Sequence, residues 1–368
     1  MNTPVKVLNI LSDLARGGTT QVIMNYYRNM NENEVVYDFL CLTESKGVYE
    51  EEIEEKGGEV YKIKPISSGL FFNIKSTMSF FKNHSYDVVE IHSPTPLRFS
   101  YALIAKLYGT KTIIFHAHNS NLTPSIKEKV CSKIVNRICD FNFACSILAG
   151  EYMYGGKSFQ IINNAIQLEK FDFNLKLRTE IRKQFSIKEN ENVIGFLGRL
   201  DNKQKNLDLL VDVFYRVLEE KKDCVLFIVG DGDYRKIMES KINQLRIQDK
   251  VVFTGMVNSP ERYYNAFDCF AIPSFYEGFP VTLVEAQTNG LPIIASDCIS
   301  SDTNIIKELY EAITINRDAN AVELWKDAII SSFKKNRYGR VEDMKEAGFD
   351  IKHESMKLQN FYSTRKDK

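Results

Sequence analysis

Short continuous apolar runs alternate along the whole chain with longer stretches in which apolar side chains recur at helical spacing. "VKVLNIL" near the start reads as a strand, and Gly17-Gly18 then leads into a helical pattern from about Thr19 to Met30. Further strands are expected at "YDFLCL", "EVYKI", "YDVVEIH", "KTIIFHAH", "FNFACS" and "FQIINN", each near a helical segment such as "PLRFSYALIAKLYG". Runs that are apolar on both faces belong to buried parallel strands. Strands spaced by helices build βαβ units.

The rhythm restarts after "NNAIQLEKFDFNLKL", with strands expected at "NVIGFLG", "CVLFIVG", "KVVFTG", "CFAIPS" and "LPIIAS" and helices such as "NLDLLVDVFYRVLEEK" between them. The stretch 318–364 reads as helices only. The pattern predicts an α/β protein of two doubly wound, Rossmann-like parallel-sheet domains with a cleft between them. The boundary falls near residues 164–176. In such sheets ligands bind beyond the carboxyl ends of the strands, so the loops that follow strands carry the chemistry.

Composition narrows this picture. At 368 residues the chain is too long for one ordinary core. Lys+Arg and Asp+Glu number 48 each. Residues 1–170 carry 18 basic and 17 acidic side chains, +1, which leaves 30 and 31, −1, for the remainder. Neither half is polybasic, which argues against nucleic-acid binding. The seven cysteines are odd in number and lack CxxC spacing, as expected of buried free thiols in a reducing cytoplasm. No signal peptide and no run of 18 apolar residues is evident, so no export and no membrane span is expected.

In "SFYEGFPVTLVEAQTNGLP", Glu277 follows a strand, Pro280 fits the first turn of a helix, and Glu285 lies five residues further on. That spacing is roughly 7–8 Å along a helix axis. The first turn of a helix attracts anions, and a carboxylate accepts two hydrogen bonds from vicinal hydroxyls. A nucleoside-diphosphate sugar offers hydroxyls at both ends and an anion between them. Glu277 taken alone reads as a solvated loop residue. Glu285 sits among apolar neighbours, so it should point inward and needs a partner. After "NVIGFLG", Lys203 and Lys205 could neutralise a diphosphate and Arg199 offers a bidentate fork; Lys203 fits a solvated turn as well, and Lys205, just before an amphipathic helix, could aim either way. "VGDGD" with Gly230 fits either a plain turn or backbone close to a phosphate; it is too short for a dinucleotide fingerprint.

In the first half, Gly17-Gly18 suits a tight turn or close approach of a ligand equally. Three of the five histidines, His92, His116 and His118, follow or end strands, where neutral imidazole can bond sugar hydroxyls. His116 and His118 share a face in extended chain and could chelate a metal, but the sequence shows no third ligand nearby, and its Asp-x-Asp, Asp231-Gly232-Asp233, reads as a common Gly-containing turn, so no metal is expected. The helix expected over 123–141 has an apolar face of Ile126, Val130, Ile134 and Ile138. Residues 122–139 hold four basic and one acidic side chain, +3. It fits a helix docked on the sheet with a solvated basic face, or one lying on an anionic membrane.

Taken together, "GRLDNKQKN", "VGDGD", "FTGMV" and "YEGFPVTLVEAQTNGLP", with looser matches at "ARGGTTQ", "YDVVEIHSP", "FHAHNS" and "NNAIQLEKF", resemble the retaining glycosyltransferases of family four, which have the GT-B fold. Within that family the chain is most similar to bacterial capsule and exopolysaccharide transferases. The resemblance implies an acceptor domain over 1–170, a nucleotide-sugar domain over 171–350 and a final helix, 351–368, that crosses back to the first domain. It implies metal-independent transfer, without cofactor, of a hexose-type sugar from a nucleotide donor, most commonly UDP-linked, to a saccharide or lipid-linked saccharide. Arg199 and Lys205 would hold the diphosphate, with Gly18 and Gly230 near it. Glu277, Gly278 and Phe279 would contact the sugar, Glu285 the ribose, and Met256 in "FTGMV" would lie beside the base. His118 would sit near the transferred sugar, with His92, His116 and Asn119 on the acceptor side. Where the family often has Glu after Gly-Gly-x, this chain has Thr20. The place of action would be the cytoplasm, peripheral on the inner membrane face. A nucleotide-sugar epimerase on the same architecture and a non-catalytic sugar-binding protein are the rival readings.

Overall fold

The computed structural model describes residues 3–120, 123–315 and 319–365. Its chain divides into two compact units, residues 1–165 with 350–368, and residues 166–349.

The first unit is built on a parallel seven-stranded sheet of β1 (Val5–Leu11), β2 (Val35–Cys41), β3 (Val60–Lys62), β4 (Val88–Ser93), β5 (Thr112–Ala117), β6 (Phe141–Ala144) and β7 (Gln160–Ile161), in the order β3-β2-β1-β4-β5-β6-β7. The central strands are buried along their length, as their continuous apolar sequences require. Each fully buried Val, Leu, Ile or Phe contributes about 1.5–3 kcal/mol, which makes this sheet the centre of the unit's stability. β7 is only two exposed residues long, shorter than "FQIINN" predicts. The strand order reverses direction between β1 and β4, the switch point at which loops from neighbouring strands diverge.

The last helix, Ile351–Ser363, belongs to this unit although 184 residues, 166–349, separate it from β7's side of the chain. Leu358 and Tyr362 are buried, and the helix packs on the helix Gly18–Asn29 and on β1 and β2. Gln359 Oε1 accepts a hydrogen bond from Asn31 N at 2.8 Å.

The helix expected over 123–141 runs from Ile126 to Ile138 and is started by a capping box in which Ser125 and Glu128 satisfy each other's backbone N–H groups. Its orientation differs from the sheet-docked reading. Ser132 and Val135 face inward, whereas Ile126 and Val130 are 82% and 53% exposed. The apolar repeat at Ile126 and Val130 therefore marks a solvent-facing stripe, not a packed one.

The second unit repeats the plan with six strands, β8 (Asn192–Leu197), β9 (Cys224–Val229), β10 (Val251–Phe253), β11 (Cys269–Ile272), β12 (Ile293–Ser296) and β13 (Tyr310–Ile313), ordered β10-β9-β8-β11-β12-β13. The amphipathic helix Leu207–Glu220 buries Leu207, Leu210, Val211, Phe214, Val217 and Leu218 against it. β13 escapes sequence reading because it is an edge strand with Glu311 and Ala312 exposed, which breaks the apolar run. The switch point here lies between β8 and β11. None of the seven cysteines is in a disulfide; Cys41, Cys145, Cys224 and Cys269 are buried and the other three half-buried. No helix among the described residues is long and apolar enough to cross a membrane.

Candidate functional site

Two groups of side chains gather at the carboxyl ends of the strands, one in each unit.

In the second unit, β8 and β11 are neighbours, paired in register at Ile194 with Cys269 and at Gly195 with Phe270. Their following loops therefore emerge side by side, which brings together residues more than 70 positions apart. Lys205 ends the short turn of helix Asn202–Lys205, whose start is fixed by Asp201 Oδ1 accepting from Lys203 N at 3.0 Å. Lys205 Nζ lies 2.5 Å from Glu277 Oε1. Gln204 Nε2 donates to the other oxygen, Oε2, at 3.1 Å. Glu277 is 6% exposed, so it is not the solvated loop residue that its position alone would suggest. Arg199 is different: its side chain is 70% exposed and makes a 3.4 Å contact with Asp201. Lys203 is exposed, as a solvated turn predicts.

Gly278 and Phe279 follow Glu277, and the Phe279 ring stacks on Phe349 with centroids 5.7 Å apart. Pro280 is the cap residue of the helix Val281–Thr288, in extended backbone, not a member of its first turn. Its carbonyl accepts from Leu283 N at 3.0 Å. Glu285 sits in the middle of this helix and is 8% exposed. The partner its burial demands is Tyr264, whose fully buried hydroxyl donates to Glu285 Oε2 at 2.5 Å. Burial pushes the Glu285 carboxyl up to about 7; the Tyr264 hydrogen bond works in the opposite direction, and the Glu261 charge adds to the rise. A carboxyl that titrates near neutrality can bind as acid or as carboxylate.

The glycine loops form a floor without side chains. Gly230 N donates to Gly255 O at 3.1 Å, which joins "VGDGD" to "FTGMV". Gly230 has φ +133°, and a Cβ there would lie 2.0 Å from Gly198 O. Glycine is thus required on both conformational and steric grounds. Met256, one residue past Gly255, is 60% exposed.

In the first unit, parallel pairing of β4 with β5 sets His92 directly beside His116. His118, half-buried just past β5, stacks on His116 with centroids 4.2 Å apart. One ring nitrogen from each of the three lies within 4.8 Å of the others. The expectation that His116 and His118 have no third ligand is thereby corrected: the third imidazole is His92, brought in by strand register, which sequence spacing does not reveal. His92 Nδ1 and His118 Nε2 share a 2.8 Å hydrogen bond, and His92 Nε2 donates to Asn9 Oδ1 at 3.0 Å. His116 Nδ1 donates to Glu90 Oε1 at 2.7 Å. Glu90, buried in β4, also accepts from the Tyr362 hydroxyl of the last helix. Burial raises the Glu90 carboxyl, but His92, His116 and Tyr362 outweigh it and hold the group below its ordinary value. Burial takes His92 down to about 4 against the pull of Glu90 and holds His118 well below its ordinary value, so both are neutral imidazoles at pH 7. Asn119 is half-buried, its Oδ1 accepting from Ser120 N at 2.9 Å. Gly18 opens the helix Gly18–Asn29, and the space its Cβ would fill is open.

Sequence reasoning missed Gln204, Tyr264, Asn9, Glu90 and Tyr362. Asn9 and Glu90 had a signal, since each interrupts an otherwise apolar strand.

Comparison with known proteins bears on the family and the fold. Residues 178–350 match the family model described as glycosyl transferases group 1. The putative glycosyltransferase EpsF of Bacillus subtilis is 29% identical, over 100% of this chain and 99% of that protein. The UDP-Gal:alpha-D-GlcNAc-diphosphoundecaprenol alpha-1,3-galactosyltransferase of Escherichia coli is 26% identical over 80% of each chain. The crystal structure of Anabaena Alr3699/HepE in complex with UDP superposes with a TM-score of 0.76 at 18% identity, covering 98% of this chain and 100% of that one, and shows a shared GT-B fold. The segment that carries Arg199, Lys205, Gly230, Glu277 and Glu285 is therefore a domain of the glycosyl transferases group 1 family, and the chain is a glycosyltransferase.

Proposed function

We propose that this glycosyltransferase moves a hexose-type sugar from a UDP-linked donor to a lipid-linked saccharide, with retention of anomeric configuration, in assembly of a capsule or exopolysaccharide. The observation that carries the donor half is the convergence of Lys205, Gln204 and Glu277 beside the glycine floor of Gly198, Gly230 and Gly255. A diphosphate is an anion that Lys205 and Arg199 neutralise without a metal, and the start of the helix Val281–Thr288 adds its dipole. Glu277 accepts hydrogen bonds from the sugar hydroxyls, next to the backbone of Gly278 and Phe279, and Glu285 accepts them from the ribose diol. The base lies by Met256. Catalysis rests on positioning and on stabilising the departing diphosphate. Gly18 lies near the phosphate, and His118 faces the transferred sugar, with His92, His116 and Asn119 toward the acceptor.

The lipid-linked acceptor is supported by the likeness to a transferase whose name specifies a diphosphoundecaprenol substrate. It is also supported by the helix Ile126–Ile138, where exposed Ile126 and Val130 stand among Lys127, Lys129, Lys133 and Arg137. Such a face suits peripheral contact with an anionic membrane on its cytoplasmic side.

The test is release of nucleoside diphosphate from a panel of nucleotide sugars, with and without undecaprenyl-diphosphate saccharides, and NMR of the product's anomeric centre. Release that depends on acceptor, with an unchanged anomeric configuration, is the expected result. Donor consumption without acceptor would indicate an epimerase, and binding without consumption a sugar-binding protein.

A further inference from the structure

The carboxyl ends of β1 and β4 flank the switch point of the first unit, and a cation stands there without an ion pair. β1 and β4 are paired as far as Ile10 with Ile91, so the loops that follow them leave the sheet side by side. The β4 loop contains a short turn, Pro96–Arg98, started by Thr95, whose Oγ1 accepts from Leu97 N at 3.4 Å. Arg98 reaches from this turn to the β1 loop, where its Nη2 donates to Ser12 Oγ at 3.0 Å. Its Nη1 is buried and has no hydrogen-bond partner among the described residues. Asp13 acts on the guanidinium through longer-range charge, while its own Oδ1 accepts from Ala15 N at 2.9 Å. Arginine stays protonated in proteins, and burial works against that charge here. A partly desolvated cation with an unmade hydrogen bond is costly until an anion meets it.

The surroundings narrow the choice of anion. Six residues before Arg98, near the end of β4, His92 belongs to the histidine cluster that faces the acceptor in the proposed function. On its other side the turn packs against the helix Ile126–Ile138, and Thr95 Oγ1 donates to Glu128 Oε1 of that helix at 3.4 Å. Ile126 and Val130 of the helix are exposed, as is Leu97 next to Arg98. Imidazoles, a guanidinium and an apolar stripe thus follow one another along this part of the unit. A lipid-linked saccharide has the same order of chemistry: sugar, diphosphate, polyprenyl chain. A guanidinium suits phosphate oxygens through its bidentate fork, whereas a neutral sugar offers it no counter-charge.

We propose that Arg98, with Ser12 beside it, binds the diphosphate of a polyprenyl-diphosphate acceptor. The site rests on the lipid-linked acceptor of the proposed function and adds to it the side chain that meets the lipid's anion. No ion pair has to be broken for the phosphate to enter.

The test uses the full chain with saturating UDP, so that the donor loops are filled, and farnesyl diphosphate as the probe, titrated by calorimetry. The parent should bind the probe with an affinity that falls as NaCl is raised. Arg98→Gln should weaken binding by about 10- to 100-fold and flatten that salt dependence. Gln can still donate to Ser12, so a purely structural tie would survive in this variant. Arg98→Lys keeps the charge and should restore most of the affinity. Flotation with phosphatidylcholine vesicles, with and without phosphatidylglycerol, tests the other source of phosphate, and Arg98→Gln should float as the parent does. If flotation falls in Arg98→Gln while probe binding holds, Arg98 reads phospholipid headgroups and the proposal fails. It also fails, alone, if parent and Arg98→Gln bind the probe alike while undecaprenyl-diphosphate saccharides are substrates. If the parent neither binds the probe nor uses those saccharides, the lipid-linked acceptor falls with it.

Discussion

Lys205 and Glu277, 72 residues apart, form a 2.5 Å ion pair at the point where β8 and β11 release their loops. Both side chains are largely shielded from water, at 15% and 8% exposure. Each is the other's charge partner, and a buried charge left alone is costly. If Lys205 turns to a donor's diphosphate, Glu277 needs hydroxyl donors in its place. An activated sugar supplies both at once, whereas a bare nucleoside diphosphate takes the cation from the carboxylate and leaves it the neutral donor of Gln204.

The first prediction comes from that exchange. Lys205→Gln should lower turnover by about 100-fold or more, the usual effect of removing one group that stabilises a developing anion. Donors lacking sugar hydroxyls should lose binding to the parent enzyme but not to Glu277→Gln. Steady-state kinetics of nucleoside-diphosphate release and calorimetry with deoxy-sugar donors check both. A twofold or smaller change in turnover for Lys205→Gln would remove the pair from the mechanism.

Glu285 sets a pH dependence. Its carboxyl rises from 4.5 to about 7 on folding, so the folded chain holds the proton more tightly than the unfolded one. The resulting stability is fully present below pH 4.5 and is lost as pH rises through 7, a total of about 3 kcal/mol. Glu285→Gln should flatten this slope in urea melts between pH 5 and 8. Nucleotide binding should follow the opposite trend if, as proposed, ribose hydroxyls donate to the carboxylate. Affinity should improve from pH 6 to pH 8, with proton release visible in buffers of different ionisation enthalpy. Tyr264→Phe removes the hydrogen bond that favours the ionised form and should shift the affinity profile to higher pH.

Gly230→Ala tests the glycine floor. The methyl group would meet Gly198 O at 2.0 Å in a backbone conformation that L-residues avoid. Movement of the "VGDGD" loop away from Gly198 and Gly255 should weaken nucleotide affinity at least tenfold. The far-UV circular dichroism should change little, since β8 and β9 are paired along their full length.

Tyr362→Phe should destabilise the first unit by about 1–3 kcal/mol, because Glu90 loses a donor while remaining buried. Glu90 lies below its ordinary 4.5 in the folded state, so its contribution is present above that pH and is lost on acidification. The variant should therefore show a smaller acid-induced loss of stability from this carboxylate below pH 4.5 than the parent, measured as the difference between urea midpoints at pH 7 and pH 4.

The strands and the alternation of β and α were legible because buried parallel strands carry unbroken apolar runs, as in "CVLFIVG". β13 and the brevity of β7 were not, because these edge strands expose neighbouring residues, Glu311 and Ala312 in one and both residues of the other, and lose that signature. Among the candidate site residues, Glu285 announced itself as a charge among apolar neighbours on a helix, whereas Glu277 taken alone read as a solvated loop residue and stood out only through its spacing from Glu285. Their partners Lys205 and Tyr264 lie 72 and 21 positions away, and only the adjacency of β8 with β11 and the packing of the helix Val281–Thr288 join them. His92 beside His116 is a matter of β4–β5 register, which composition and spacing do not encode. The apolar face of the helix Ile126–Ile138 was misread for a related reason: periodicity shows that a stripe exists, not which side the sheet occupies.

The helix Ile351–Ser363 makes the amino-terminal unit a discontinuous stretch of gene. A fragment ending near residue 165 omits Leu358 and Tyr362, leaves Glu90 with an unfilled acceptor and bares the apolar side of the helix Gly18–Asn29. On the ribosome, the histidine cluster can reach its final packing only after the entire second unit has been synthesised. Premature termination near the 3′ end of the reading frame thus damages the part of the protein encoded first.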